Sequence, residues 1–233
     1  MTKAERQELL KEKLKAMRVY EEELYRNGIR LVAGVDEVGR GPLAGPVVTA
    51  CVVLPADFDV LGVDDSKKLS EKKREELCEI IKEKAVALAI GIRDNRVIDD
   101  INILNATKEA MKDAVREADR QLKDMGAPGV EHLLIDAVKL DGVNIPQSPI
   151  VKGDAKSVSI AAASIVAKVT RDHMMRDFAV TYPGYAFESN KGYGTKAHYE
   201  GLEKYGLCPI HRRTFLKNFT ENEGVQASFD LTS

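Results

Sequence analysis

The chain has 233 residues, a length that fits one large domain or two small ones. Its 44% hydrophobic residues can bury a full core, and its 31% charged residues indicate a soluble protein. The formal net charge of −2 excludes a surface that is basic throughout, so a polyanion would need a local basic patch. Three cysteines without a Cys-x-x-Cys spacing argue against a disulfide framework or a zinc site. Because the N-terminus is charged and no apolar run approaches about 18 residues, we expect a cytoplasmic protein with no membrane span.

The first part of the chain combines helical spacing with short apolar runs. Residues 2–26 repeat apolar side chains every three or four positions, which predicts an amphipathic helix that packs on the body. Apolar runs predict strands over 30–36, 46–54 and 85–92, with a helix over 70–83 before the third strand. Three early strands without long crossovers favour an antiparallel meander.

The second part of the chain is mostly helical. We predict a helix over 95–125, a strand over 132–136 and a proline-containing loop over 141–150. Residues 157–180 are apolar nearly all round, which predicts a buried helix, and 195–219 are expected to be helical. Since no linker divides the chain, we predict an α/β domain with a helical C-terminal subregion.

Acidic side chains stand at the ends of apolar runs or beside glycine. Asp36 and Glu37 follow one run, Asp136 ends another, and Asp154 follows a lysine and a glycine. A carboxylate at the end of a strand lies on the rim of the sheet, where ligands reach it. Several carboxylates without neighbouring histidine or cysteine suit Mg²⁺ or Mn²⁺, ions that mostly serve phosphodiester hydrolysis. Taken singly, each of these residues could also be an exposed turn residue.

The adjacent acids pose a geometric problem. Neighbouring residues of a regular strand project to opposite faces, so Asp36 and Glu37 could not both face one metal pair from the middle of a strand. We therefore expect the strand to end or bulge at these residues, with Gly39 and Gly41 allowing the change of direction.

Two glycine-rich segments and one lysine are candidate ligand-binding residues. In Gly39-Arg40-Gly41 the glycines permit close backbone approach and the arginine can bind a phosphate through two hydrogen bonds. Tyr193 lies between glycines and is suited to stacking on a sugar or donating its hydroxyl to one. Lys67 precedes a helix N-terminus, where it could hold a phosphate. A tight turn and a solvated basic surface are the alternatives.

Taken together, these residues closely resemble bacterial ribonuclease HII, a type 2 ribonuclease H. The matching segments fall in order and are spread over about residues 30–217, nearly the whole chain. They are residues 34–47, 65–69, 102–107, 134–137, 152–154, 161–172, 190–195 and 211–215.

The resemblance implies a ribonuclease H-like fold, with a mixed central sheet flanked by helices. It also implies an endonuclease that hydrolyses the RNA strand of RNA–DNA hybrids and cuts 5′ to single ribonucleotides in duplex DNA, the first step of ribonucleotide excision repair. The products would carry 3′-OH and 5′-phosphate ends. On this basis we assign residues 1–28 to an N-terminal helix, 29–219 to the catalytic domain and 220–233 to a tail that is expected to be disordered.

The resemblance also assigns roles to individual residues. The residues that match the family's metal ligands are Asp36, Glu37, Asp136 and Asp154, which implies Mn²⁺ or Mg²⁺ in a two-metal site. Those that match its recognition of the ribose 2′-OH are Gly39, Arg40, Gly41 and Tyr193. Lys67 and Asn105 match residues along the nucleic-acid groove.

Related families and other functions fit the sequence less well. Ribonuclease HIII carries a sizeable N-terminal domain and lacks the arginine that stands here as Arg40, while ribonuclease HI distributes its acids differently. A non-catalytic hybrid-binding protein would not need all four acids. A DNA resolvase on the same fold would have no use for the pairing of Gly-Arg-Gly with Tyr193.

The C-terminal tail suggests a protein partner. The segment from Gln226 to Leu231 resembles the short glutamine-led hydrophobic peptides that dock on the bacterial β sliding clamp. An ordinary frayed terminus is the alternative. With no sequence feature that indicates self-association, we expect a monomer.

Overall fold

A computed structural model describes residues 2–217 and 219. In this part of the chain the α-helices are α1 (Lys3–Met17), α2 (Val19–Arg26), α3 (Glu71–Lys84), α4 (Asn95–Asp124), α5 (Val158–Thr181), α6 (Phe187–Asn190) and α7 (Lys196–Tyr205). The strands are β1 (Val32–Val38), β2 (Val47–Val53), β3 (Ala87–Arg93), β4 (His132–Asp136) and β5 (Gln147–Ile150). No helix of these residues is both long and apolar enough to cross a membrane.

The strands of the described residues form one mixed sheet in the order β3-β2-β1-β4-β5. Strands β1, β2 and β3 pair antiparallel, which is the predicted meander. Strand β4 then pairs parallel with β1, and β5 pairs parallel with β4. A parallel pair brings the carboxyl ends of its strands to the same edge of the sheet, and this edge carries the candidate active site.

Helices cover both faces of the sheet, as an α/β architecture requires. Val48 and Val52 of β2 pack with Ile165 of α5 in one core cluster. Val35 of β1 packs with Met111 of α4 in a second cluster on the opposite face. Because both faces are covered, all seven residues of β2 are buried, which explains its unbroken apolar run.

The N-terminal segment is two helices rather than the single one predicted over 2–26. The break falls at Arg18, whose guanidinium donates to the carbonyl oxygens of Ala56 and Phe58, at 2.5 and 3.1 Å. Leu14 and Met17 at the end of α1 are buried in the core. Tertiary hydrogen bonds to a distant loop thus redirect the chain at a residue whose local sequence favours a continuous helix.

Two other sequence predictions were wrong in detail. The loop expected over 141–150 contains β5, an edge strand of the described sheet that pairs with β4 and includes Pro149. Proline is tolerated on such an edge strand, since its missing N–H faces away from the ladder. The helix expected over 195–219 ends at Tyr205, where Gly206 takes a φ of +68° and leaves the helical conformation.

Candidate active site

The carboxyl ends of β1 and β4 bring two of the predicted acids together. The parallel register pairs Val35 with Ile135, and Asp36 and Asp136 are the next residues on the two strands. Asp36 is buried and Asp136 is partly buried. The spatial convergence of residues that lie about 100 positions apart follows from the parallel pairing.

The expectation that β1 ends or bulges at the acids was wrong. Antiparallel pairing with β2 continues in register through Asp36, Glu37 and Val38. Gly34 of the same strand packs on α5, so Asp36 projects towards that helix and Glu37 towards the opposite face. The acids therefore flank the end of the sheet from its two sides, and no irregularity of the strand is needed to bring both near Asp136.

Helix α5 supports β1 at close range. A Cβ atom on Gly34 would overlap the backbone of Ser159, so only glycine lets the strand and the helix approach this closely. Further along the helix, the hydroxyl of Ser164 lies 2.9 Å from the hydroxyl of Ser66 and near Asp36, where it opposes the rise in the pKa of that carboxyl. Sequence reasoning missed this role of Ser164, although a buried serine in an alanine-rich helix is a signal that could have shown it.

Asp154 reaches the same edge from a short 3-10 turn, Gly153–Ala155, that precedes α5. The backbone N–H of Gly153 donates to Oδ1 of Asp136 at 2.7 Å. The ammonium of Lys67 lies 4.0 Å from Oδ2 of Asp154. The structure thus places Asp154 and the predicted phosphate-binding lysine next to the pair of strand ends.

The carboxylates raise one another's proton affinity. Burial, the charge of Glu37 and the charge of Asp136 raise the pKa of Asp36 well above its ordinary value. Burial also raises the pKa of Glu37, against the opposing effect of Arg40. The pKa of Asp154 is raised by burial and then by the charges of Asp65 and Asp136. Such a cluster of repelling carboxylates is the electrostatic environment that a bound cation relieves.

The donor set fits a hard divalent metal. Oε2 of Glu37 is buried and has no hydrogen-bond partner among the described residues, and Arg40 reaches Oε1 of Glu37 at 3.3 Å. Oxygen ligands without sulfur or imidazole suit Mg²⁺ or Mn²⁺. In residues 2–217 and 219, no group of three or more His, Cys, Asp or Glu side chains is already arranged to hold an ion. A metal held by three of these carboxylates would therefore require side-chain rotation.

The buried side chain of Arg212 holds the Gly-Arg-Gly loop through the carbonyl groups of its backbone. Arg212 donates hydrogen bonds to the carbonyl oxygens of Gly39, Arg40 and Gly45, at 2.6, 3.0 and 3.0 Å. Burial, followed by the charge of Arg171, lowers the pKa of Arg212 to about 9. Because the loop's carbonyl groups turn inward to these donors, the loop is fixed at the rim of the site. Arg212 lies in a matched sequence segment, but the sequence did not indicate this role.

Arg171 of α5 joins the two glycine-rich segments. Its guanidinium donates to the carbonyl oxygens of Ala44, Pro46 and Lys191, at 3.1, 2.9 and 2.8 Å. Lys191 immediately precedes the Gly-Tyr-Gly segment, so one buried side chain sets the spacing between the two predicted recognition loops.

Tyr193 lies next to the Gly-Arg-Gly loop, a proximity that the sequence did not indicate. A Cβ atom on Gly41 would lie 3.5 Å from Cε1 of Tyr193, and the tyrosine ring is 46% exposed. Asn105 is exposed near the start of α4, one turn beyond a break at Asn102. Within the described residues, no hydrogen bond joins Asn105 to the carboxylates, so its predicted role stands apart from this cluster.

Comparisons with known proteins identify the family of the chain. The family model described as Ribonuclease HII matches residues 33–218. Ribonuclease HII of Enterococcus faecalis is 58% identical over 215 residues, which cover 91% of this chain and 81% of that protein. The crystal structure of ribonuclease H2 from Pyrococcus horikoshii is similar with a TM-score of 0.67 and 26% identity, over 82% of this chain and 97% of that one.

A further similar structure is that of the PCNA:RNase HII complex from Archaeoglobus fulgidus, with a TM-score of 0.60 and 25% identity over 78% of this chain and 93% of that one. The family model alone matches well over half of the chain. The chain belongs to the ribonuclease HII family of metal-dependent endonucleases, which act on RNA–DNA hybrids.

Proposed function

We propose that this endonuclease also cuts 5′ to single ribonucleotides embedded in duplex DNA, and thereby starts ribonucleotide excision repair. The proximity of Tyr193 to Gly41, whose neighbour Arg40 pairs with Glu37 of the carboxylate cluster, is the observation that carries this proposal. A reader of one ribose must lie next to the scissile phosphate, and this arrangement has that proximity. We expect the reaction to take place in the cytoplasm and the enzyme to act as a monomer.

Recognition of the ribose is assigned to Gly39, Arg40, Gly41 and Tyr193. With its carbonyl groups held inward by Arg212, the loop can direct N–H groups towards a 2′-OH, and the Tyr193 hydroxyl can bind the same sugar. Neither group reads a base edge, so little sequence preference is expected. Lys67, whose side chain is 81% exposed, and Asn105 are assigned to the backbone of the nucleic acid in the groove.

Catalysis is assigned to Asp36, Glu37, Asp136 and Asp154 as ligands of two divalent ions, Mg²⁺ or Mn²⁺. When bound, such ions activate the attacking water and stabilise the leaving 3′-oxygen, which gives 3′-OH and 5′-phosphate ends. The chain itself orients the ligands: the N–H of Gly153 donates to Asp136 and the N–H of Glu37 donates to Asp36, both at 2.7 Å. Lys67 and Arg40, which lie beside Asp154 and Glu37 with side chains 81% and 47% exposed, can turn to the substrate phosphates.

Cleavage of duplex DNA that carries one ribonucleotide tests the proposal. We expect metal-dependent cutting 5′ to the ribonucleotide, no cutting of all-DNA duplex, and loss of cutting in Asp136→Asn. Asp141→Asn is a matched control, because the Asp141 side chain is 80% exposed and pairs with Lys108 away from the cluster. Binding of the duplex without cutting in either metal would instead make the protein a reader of hybrids. Cutting of all-DNA duplex would favour a resolvase.

A sliding clamp is the proposed protein partner. The segment from Gln226 to Leu231 lies outside the described residues, so the proposal depends on its sequence and on the archaeal relative solved in complex with PCNA. The β clamp should retain the full chain in a pull-down and release a chain that lacks residues 224–233. Equal retention of both chains would contradict the proposal.

A further inference from the structure

One buried carboxylate lies outside the catalytic cluster. Glu21 of α2 is 1% exposed, and its Oε1 accepts hydrogen bonds from the Ser157 hydroxyl at 2.5 Å and from the Ser159 N–H at 3.0 Å. Oε2 has no hydrogen-bond partner in the described part of the chain. Helix α2 precedes the residues that the family model matches, which begin at residue 33.

Glu21 occupies the N-terminus of the central helix. Ser157 is the N-cap of the 24-residue helix α5, and its hydroxyl both accepts from the Ile160 N–H and donates to Glu21. The positive end of the helix dipole favours a carboxylate at this point. Burial nevertheless raises the pKa of Glu21, while the hydrogen bonds from Ser157 and Ser159 oppose that rise. A half-satisfied buried carboxylate is costly, and an apolar residue would dock α2 at less cost.

A short chain of hydrogen bonds runs from Glu21 to the active site. The N–H of Ser157 donates to the Gly153 carbonyl at 2.8 Å. The N–H of Gly153 donates in turn to Oδ1 of Asp136 at 2.7 Å. Asp154 directly follows Gly153, in the 3-10 turn Gly153–Ala155 that these hydrogen bonds anchor. Glu21 is therefore two residues removed, through Ser157 and Gly153, from the carboxylate of Asp136.

We propose that Glu21 is a positioning residue of the active site: by holding the first turn of α5, it fixes the turn that carries Asp154 and binds Asp136. The N-terminal helices are then a working part of the catalytic unit, because α2 supplies this support. The inference rests on the metal-binding role proposed above for Asp136 and Asp154.

Substitution of Glu21 in the full chain tests the proposal. For Glu21→Ala we expect kcat on an RNA–DNA hybrid and the affinity for Mn²⁺, measured by calorimetry without nucleic acid, each to fall about 10-fold or more. KM for the hybrid should change little, because the recognition loops are held by Arg171 and Arg212 instead. Glu21→Gln keeps a hydrogen-bond acceptor at Oε1 and should restore both quantities to nearly the wild-type values.

The controls separate positioning from simple stabilisation. Glu23→Ala alters an exposed residue of the same helix and should leave kcat and Mn²⁺ affinity unchanged. A Glu21→Ala variant that loses thermal stability, yet keeps its kcat and Mn²⁺ affinity when folded, would overturn the proposal. If Glu21→Ala does not fold, Ser157→Ala decides, because it removes the hydroxyl link to Glu21 together with the N-cap bond to Ile160; normal Mn²⁺ affinity and kcat in that variant would also overturn the proposal. Absence of cleavage by the wild-type chain would instead refute the proposed function.

Discussion

Asp36, a candidate metal ligand, shows how a single buried carboxyl can cost the fold stability. Its pKa is raised in the folded chain by burial and by the charges of Glu37 and Asp136, so the folded chain binds this proton more tightly than the unfolded chain does. The resulting stabilisation is complete below the unfolded pKa and is lost as the pH rises through the raised folded pKa. Above the unfolded pKa, Asp36 therefore lowers the stability of the metal-free fold, since the folded chain must either hold the proton or bury the charge.

Replacing Asp36 by asparagine should separate stability from activity. In chelator at neutral pH, Asp36→Asn should unfold at a higher temperature than the wild type, because asparagine needs neither a buried charge nor the uptake of a proton on folding. The advantage should shrink as the pH falls and Asp36 becomes protonated. Cleavage should drop by about 10²–10³-fold. Thermal unfolding at several pH values, together with a cleavage assay, measures both effects, and a less stable variant at neutral pH would contradict the electrostatic account.

The buried arginines act through backbone carbonyl groups, with no carboxylate in a hydrogen bond to either guanidinium among the described residues. Arg212→Lys keeps the charge but cannot donate to the carbonyls of Gly39, Arg40 and Gly45 together. We expect a loss of about 3 kcal/mol in the free energy of unfolding, measured by denaturant titration, because buried acceptors are left unsatisfied. Arg213→Lys changes an adjacent, exposed side chain and should be neutral. Equal effects of the two substitutions would show that the hydrogen bonds of the Arg212 guanidinium to the buried carbonyl groups do not stabilise the fold.

At the scale of elements, the sequence predicted what depends on local pattern. The strands β1 to β4 and the buried helix α5 are set by apolar runs and helical periodicity, and each was predicted to within a few residues. Strand β5 was missed because it is short and contains a proline, which reads as a loop in the sequence. It forms a strand through its pairing with β4, a tertiary contact that the local pattern does not show. The break at Arg18 was missed for the same reason, since its hydrogen-bond partners lie about 40 residues away.

The Gly-Arg-Gly loop contains two glycines with different reasons for being glycine. Gly39 has a φ of +90° and packs against Arg171, whereas Gly41 has neither a positive φ nor a close neighbour other than Tyr193 at 3.5 Å. Gly39→Ala should therefore destabilise the fold by about 3 kcal/mol. Gly41→Ala should leave stability within about 0.5 kcal/mol of the wild type. Its added methyl group would nevertheless keep the substrate away from the loop.

The pair of alanine variants tests whether the loop is a contact surface. We expect Gly41→Ala to lower cleavage at a single ribonucleotide by about 10²-fold at unchanged melting temperature, because the ribose is displaced from the carboxylates. Kinetics on a single-ribonucleotide duplex and thermal unfolding of both variants provide the comparison. Wild-type cleavage by Gly41→Ala would remove the loop from the recognition of the sugar.

The whole molecule must attract a polyanion with a net charge of −2. The sequence could nominate the acids and the basic loop residues, since each stands in a recognisable local setting. The sequence could not show that Lys67 lies beside Asp154, or that the Gly-Arg-Gly loop lies beside Tyr193. These neighbours belong to segments about 90 and 150 residues apart in the chain. Attraction of the substrate therefore depends on a few cations gathered at one edge of the sheet.

Lys67 is the cation through which this local attraction can be measured. The neighbouring carboxylates raise its pKa although burial lowers it, so it is charged at neutral pH and available to a phosphate. In chelator, which prevents cleavage, Lys67→Ala should reduce the slope of log K against log salt by about one, the share of one phosphate contact. Lys123→Ala is the control: it removes an exposed cation that pairs with Asp119 beside Gly129, ahead of β4 and at the far end of that strand from Asp136. An equal change of slope in both variants would mean that the attraction depends on net charge alone. Lys67 would then make no phosphate contact that Lys123 lacks.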